Sequence, residues 1–315
     1  MKSNSRFGGK VKSVKVKANL GSEKFIDSIP LEILLTILLN DKPISTISCS
    51  PNNLIELTVG FLINNGYVLN FSDINLIKIC GYELNQIIKK TDLAVKIEVA
   101  ANLQDDILEK IDNKNNKNDK NNKSNIDNID NIDNVGNIGN KNNKTNIPNF
   151  ISSACGSFDE FLIKSNLKNV NNNLKKINGN LKVKSDVILK LNHLVLEAQS
   201  QKKQIGGLHS AALFNNNGEI IYLVEDIGRH NCIDKISGYM YIKKISSDNK
   251  IIFTTGRISI DLVYKALALK VPIVVSNSSV TYSAVKLAKK ANLTLIGYAR
   301  GQRFNIYSYE KRISI

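Results

Sequence analysis

IIFTTGRISIDLVYKALALKVPIVVSNSSVTYSAVKLAKKANLTLIGYA, residues 251–299, decides how the chain folds. An apolar run at Ile251–Thr255 leads into a helical pattern over Ile258–Leu269, and a second apolar run follows at Val271–Ser276. A second helical pattern, Val280–Ala291, precedes a third strand-like run at Leu293–Ala299. This βαβαβ order implies an α/β fold whose parallel sheet is covered by helices, with ligands gathering at the C-terminal strand edges. Those edges carry Thr254-Thr255-Gly256-Arg257-Ile258-Ser259, then Ser276-Asn277-Ser278-Ser279, then Arg300-Gly301-Gln302-Arg303. Glycine, hydroxyl and arginine residues at all three edges suit a phosphorylated or nucleotide-like ligand, which backbone amides and guanidinium groups recognise.

Working upstream, residues 206–239 read GGLHSAALFNNNGEIIYLVEDIGRHNCIDKISGY. Ala211–Phe214 and Ile220–Val224, joined by Asn215-Asn216-Asn217-Gly218, form a hairpin pattern. A polar cluster follows the second strand: Glu225, Asp226, Arg229, His230, Asp234 and Lys235 lie within eleven positions, and a helical pattern begins at Asn231. An ionisable cluster between a strand end and a helix start is where α/β proteins build sites. The other reading is a salt-bridged helix start, with Asp226 as its cap and Arg229 as its partner.

Upstream again, residues 112–146 are mostly Asn, Lys and Asp, with NID repeated three times. Such a tract buries too little apolar area to offset the entropy of ordering and is expected to be a disordered insertion. It divides a small α+β domain, 19–111, from a larger α/β domain, 147–315. Residues 1–18 are expected to be a flexible basic tail. In the smaller domain, Ile33–Leu39 and Lys42–Ser48 read as strands. Ser50-Pro51 has the form of a helix cap, and an apolar stripe from Leu54 to Leu62 ends at Gly66.

The composition excludes several classes. Hydrophobic residues make up 42% of the 315, enough for a sizeable core, and no apolar run has the length of a membrane span. The basic N-terminus has no apolar stretch behind it, so a cytoplasmic protein is expected. The four cysteines show no CxxC spacing, which argues against a disulfide framework and a Cys-rich zinc site. The formal charge of +15 comes without tryptophan or a nucleic-acid motif, so no nucleic-acid partner is expected. His193 sits on a helical pattern among leucines and reads as a core or surface residue.

Ser152-Ser153-Ala154-Cys155-Gly156 suits an exposed loop with a reachable thiol, although an ordinary loop cysteine would look the same. Taken in order, SSACG, GGLHSAALF, EDIGRHNCIDK, TTGRISIDLVYKA and LTLIGYARGQRFNIY resemble the FdhD family of formate dehydrogenase accessory sulfur carriers. IPLEILLTILLNDKPIST and SCSPNNLIELTVGFLINNGYV agree in the N-terminal half. The resemblance spans nearly the whole chain, and EDIGRHNCIDK and TTGRIS are its most specific blocks.

The resemblance implies a sulfurtransferase. Such proteins take a sulfane sulfur from a cysteine desulfurase as a cysteine persulfide. They deliver it to the molybdenum or tungsten of a bis-molybdopterin guanine dinucleotide cofactor, which formate dehydrogenase needs. The cofactor is a bound substrate, and no intrinsic metal is implied. The resemblance further implies a cytidine-deaminase-like larger domain and a homodimer, with formate dehydrogenase as client. Cys155 corresponds to the persulfide cysteine, and Tyr298-Ala299-Arg300-Gly301-Gln302-Arg303 to the cofactor-binding stretch. His209, Arg229 and His230 are expected to support the thiolate or persulfide, and Gly256, Arg257 and Ser259 to contact nucleotide. Many relatives carry CxxC in the cysteine loop, whereas here the second position is Phe158, which disfavours a shuttle through an internal disulfide. A zinc deaminase is opposed by the sequence, because His209 lacks a Glu two residues on and no PCxxC exists.

Overall fold

A computed structural model describes residues 8–17, 21–80, 94–104, 107, 111, 150–151, 176–199 and 205–315. The expected Asn-rich insertion, and Cys155 with Phe158, lie outside the described residues.

The described elements run β1 Gly8–Lys17, β2 Gly21–Pro30, β3 Ile33–Leu39, β4 Lys42–Cys49, α1 Leu54–Asn64, β5 Ile74–Cys80, β6 Ala94–Ala101 and β7 Phe150–Ile151. They continue with β8 Val183–Lys184, α2 Ser185–Ala198, β9 His209–Asn215, β10 Ile220–Asp226, α3 Arg229–Ile242 and β11 Lys250–Thr254. The last are α4 Ile260–Ala268, β12 Ile273–Ser276, α5 Tyr282–Lys290, β13 Thr294–Arg300, β14 Arg303–Ser308 and β15 Ile313–Ser314.

A six-stranded mixed sheet has the order β10-β9-β11-β12-β13-β14. Its centre is the expected βαβαβ unit: β11, β12 and β13 are parallel, in the register Ile251↔Ile273↔Thr294. Alternation sorts their side chains into two cores. Leu213, Ile252, Val274 and Leu295 belong to one, with α3, α4 and α5, while Phe214, Ile251, Ile273 and Ile296 belong to the other, with α2. The 206–239 hairpin also forms: Gly218 takes φ +83° in its turn, and Asn215 Oδ1 accepts the N–H groups of Asn217 and Glu219. α2 ends at Ala198.

The N-terminal half holds a five-stranded sheet, β5-β6-β3-β4-β7, with α1 above it. Its core draws on Ile33 to Ile111. α1 closes as expected at Gly66, which takes φ +72° while Tyr67 N–H returns to Leu62 O at 2.9 Å. α1 and α3 cross in backbone contact. A Cβ added to Gly60 would sit 1.8 Å from Asp234 O, and one added to Gly238 would sit 1.9 Å from Glu56 O. Only glycine permits that approach.

Two expectations are corrected. Residues 8–17, expected to be flexible tail, form β1 and pair residue for residue with β2, from Gly8↔Pro30 to Lys17↔Gly21. Lysine and valine alternate through much of KVKSVKVK, and the lysine density obscured that strand period. Ser50-Pro51 does not start α1, whose cap position is Asn53 with no side-chain cap bond. Instead Ser50 Oγ accepts Ile227 N–H at 3.1 Å, and Ser50 N–H donates to Asp226 Oδ2 at 3.1 Å. The serine docks the N-terminal half onto the end of β10.

Candidate functional site

β10 ends at Asp226, and the chain turns through Ile227-Gly228 into α3. The Asp226 carboxylate is fully buried and accepts Gly228 N–H at 2.8 Å, Asn231 Nδ2 at 2.8 Å and Lys235 Nζ at 2.6 Å, besides Ser50 N–H. Lys235 also donates to Asn52 Oδ1 at 2.6 Å, and Asn231 to Ser48 O at 2.9 Å. One turn on, Asp234 accepts Lys265 Nζ of α4 at 2.6 Å and Asn64 Nδ2 of α1 at 2.7 Å. The salt-bridged reading of this motif is therefore right in kind and wrong in partner, since Lys235 pairs with Asp226. A buried ion pair needs the added hydrogen bonds seen here to offset desolvation. These pairs join α1, α3 and α4.

Arg229 and His230 face elsewhere. The Arg229 side chain lies against Gly256, where an added Cβ would be 2.9 Å from Arg229 Cβ. His230 Nε2 is 3.3 Å from Ser259 Oγ and 4.0 Å from Asp261 Oδ2. Burial, then the charges of Lys265, Arg229 and His209, push the His230 pKa down to about 3, so the imidazole is neutral near pH 7. Burial also raises the Asp261 pKa. His209 stands at the start of β9 opposite Asp226, and its carbonyl accepts the Cys232 thiol at 3.6 Å. Thus His209, Arg229, His230, Gly256 and Ser259, distant in sequence, come together. Two of their atoms, Arg229 Nε and His230 Nδ1, are buried with no hydrogen-bond partner among the described residues. Buried donors are seldom left unpaired, and such an atom calls for an explanation.

The three strand-edge loops are bonded to one another. Ser276 Oγ donates to Gly256 O at 2.7 Å, Ile258 N–H to Ser279 O at 3.0 Å, and Tyr298 N–H to Ser278 O at 2.9 Å. Arg257 is exposed on the first loop. On the third, β13 continues four residues past Ile296, the partner of Val275, before turning at Gly301 with φ +61°. Arg300, Gly301, Gln302 and Arg303 are exposed at this tip, and the two arginines pair across it. Tyr298 is half-buried with φ +53°, and Ala299 belongs to the α2-side core. The arginines form a surface that projects from the sheet edge, separate in the chain from the enclosed Arg229 and His230 nitrogens.

Cys155 lies outside the described residues. The chain enters its segment from β7, where Phe150 and Ile151 run parallel to Thr46 and Ile47 of β4. β4 then leads to Ser48 and Ser50, which bond Asn231 and Asp226 at the start of α3. Burial raises the thiol pKa values of Cys49 and Cys232, with Asp226 adding to the effect, so both are unreactive. His193 is exposed and pairs with Glu197 at 3.1 Å. Among the described residues, no three of His, Cys, Asp and Glu converge as metal ligands, and no helix is long and apolar enough to cross a membrane.

Sequence reasoning missed the partners supplied by other elements: Asn52 and Asn64 from the N-terminal half, and Asp261 and Lys265 from α4. The acid–base pair in ISIDLVYK, directly after TTGRIS, was the available signal for the last two.

Residues 30–314 match the FdhD/NarQ family. The sulfur carrier protein FdhD of Listeria monocytogenes is 33% identical over 288 residues, covering 91% of this chain and 92% of that protein. The protein of the same name from Geobacillus kaustophilus is 30% identical over 289 residues, 92% of this chain and 91% of that one. A crystal structure assigned to a formate dehydrogenase accessory protein from Desulfotalea psychrophila superposes with a TM-score of 0.67 at 23% identity, covering 98% of this chain and 100% of that one. That likeness carries the mixed α/β fold. With its motifs in order along a matched span of nearly full length, the chain belongs to the FdhD/NarQ family.

Proposed function

We propose that the chain is a sulfur carrier that accepts sulfane sulfur from a cysteine desulfurase as a persulfide on Cys155. It passes that sulfur to the molybdenum or tungsten bis-molybdopterin guanine dinucleotide cofactor that formate dehydrogenase requires. The relatives named above support the carrier role. The observation that carries the reading is the pair of buried nitrogens at the start of α3, Arg229 Nε and His230 Nδ1, which have no hydrogen-bond partner among the described residues. The strand leading into the Cys155 segment runs beside β4 toward that point. Cys155 is four residues beyond Ile151, and four extended residues span at most about 14 Å.

In the loading step the Cys155 thiolate attacks the terminal sulfur of the desulfurase persulfide, and the desulfurase thiolate leaves. A free thiol is only a few per cent ionised at neutral pH. The Arg229 guanidinium, with His209 and His230, supplies the environment that favours the anion. One thiol suffices, so Phe158 in place of a second cysteine leaves the transfer intact. Arg300 and Arg303, with Gly301 and Gln302 at the same tip and Gly256 and Arg257 on the loop after β11, would hold the guanine nucleotide phosphates. Paired charged hydrogen bonds from exposed arginines suit that task.

The rest of the reading is a cytoplasmic homodimer without nucleic-acid or membrane partners. Its larger domain is deaminase-like, supported by a hairpin followed by three parallel strands in one sheet. Its two-domain division is supported by the separate N-terminal core.

Cys155→Ala tests the proposal in cells lacking the native protein. We expect formate dehydrogenase to stay inactive. Full maturation would instead make the chain a cofactor-binding chaperone that moves no sulfur.

A further inference from the structure

We propose that His230 presents an Nδ1–H to the sulfur anion held at this site, and that Ser259 fixes this by donating its hydroxyl hydrogen to Nε2. The inference rests on the sulfur-carrier reading and assigns Ser259 a positioning role in place of the nucleotide contact expected from sequence.

The two crossover helices supply the first argument. α5 is preceded by Thr281, whose hydroxyl oxygen accepts Ala284 N–H at 3.3 Å in an ordinary cap. α4 is preceded by Ser259 at the equivalent position, yet its side chain makes no cap bond. Its Oγ lies 3.3 Å from His230 Nε2, so the capping group has been diverted to the imidazole. Asp261 Oδ2, the other group on that side of the ring, is at 4.0 Å, beyond hydrogen-bond length.

The second argument is the other nitrogen. His230 is only 6% exposed, and its Nδ1 is unpartnered among the described residues. Burial and the nearby Lys265 and Arg229 cations keep the ring neutral, so one nitrogen carries the proton and the other does not. A thiolate or persulfide anion is an acceptor, so it can pair with Nδ1 only when the proton is there. Arg229, whose charge acts on the ring and whose Nε also has no partner among the described residues, supplies the positive charge. His230 then contributes a directed hydrogen bond whose donor state does not change across the neutral range.

The paired variants His230→Asn and His230→Gln provide the test. The Asn amide sits near Nδ1, whereas the Gln amide reaches toward Nε2. We expect His230→Asn to load sulfur from a desulfurase several-fold faster than His230→Gln, with a pH profile of Cys155 alkylation by iodoacetamide that lies nearer the wild type's. His230→Gln should lose roughly tenfold or more in loading rate, the size expected for one hydrogen bond to a charged group. Its alkylation profile should shift toward the ordinary thiol pKa of about 8.5. ¹⁵N-imidazole spectra of the wild type should show a single tautomer protonated at Nδ1, and Ser259→Ala should mix the tautomers and slow loading.

Equal behaviour of the Asn and Gln variants, or a wild-type ring protonated at Nε2, overturns the inference while the sulfur-carrier reading stands. Absence of any loading in the wild type overturns both. Should His230→Gln fail to fold, Ser259→Ala decides alone: unchanged spectrum and loading rate overturn the inference, and the mixed spectrum with slower loading supports it.

Discussion

The two faces of α3 carry similar residues for opposite ends. Toward α1 and the helix interior, Asn231, Asp234 and Lys235 find partners at 2.6 to 2.9 Å, and Gly238 lets the α1 backbone touch. Toward the strand-edge loops, Arg229 and His230 are enclosed, yet each keeps a nitrogen without a hydrogen-bond partner among the described residues. In sequence, EDIGRHNCIDK is one charge cluster. In the fold it divides between groups whose bonds hold the two halves of the chain together and two buried nitrogens with no partner among the described residues. Within this motif hydrogen-bond satisfaction, rather than charge density, tells the two groups apart, although Asn64 Oδ1 in the bonded cluster is also unpartnered among the described residues.

The comparison breaks first at Asp226. Asp226→Asn leaves the fully buried Lys235 without its counter-charge, and we expect a loss of about 3–5 kcal/mol in urea unfolding. Arg229→Ala on the other face should change stability by no more than about 1 kcal/mol while slowing sulfur loading. Similar stability losses in both variants would erase the distinction. The next largest effect is expected at the helix crossing. Gly60→Ala places a methyl group inside the van der Waals radius of Asp234 O and forces α1 away from α3, at about 3 kcal/mol. An unchanged urea midpoint would mean that the close crossing does not bear on stability.

A smaller effect, confined to acid, follows from His230. Its pKa is held at about 3 in the folded chain and is about 6.5 when unfolded, so the unfolded state binds more protons between those values. Its stabilising contribution is therefore complete above about pH 6.5 and is lost as pH falls toward 3. His230→Asn should flatten the stability loss between pH 7 and pH 4.5 seen for the wild type. Parallel pH profiles in the two proteins would place the imidazole in solvent.

Most of the larger sheet was legible because its code is local. Apolar runs and helical periods alternate from Ile251 to Ala299, and Gly66 and Gly218 mark a helix end and a hairpin turn by their positive φ. β1 was hidden because lysine on a strand reads first as charge and only then as period. The candidate site was half legible. His209, Arg229, His230, Gly256 and Ser259 were named from their motifs, and the fold gathers them. Their partners were not foreseen, because Asn52, Asn64, Asp261 and Lys265 reach the cluster only through packing between distant elements. Ser259 shows the limit most clearly. Its hydroxyl at a helix start reads as a cap or a phosphate contact, and only the position of His230 reveals a third role.

The central claim is that this chain carries sulfur on Cys155. Intact mass measured after incubation with a cysteine desulfurase and cysteine, followed by peptide mapping, tests it most directly. The account predicts a gain of one sulfur atom, located on Cys155, removed by reductant and absent from Cys155→Ala. Sulfur found on Cys80 instead, or no gain in mass, would contradict it.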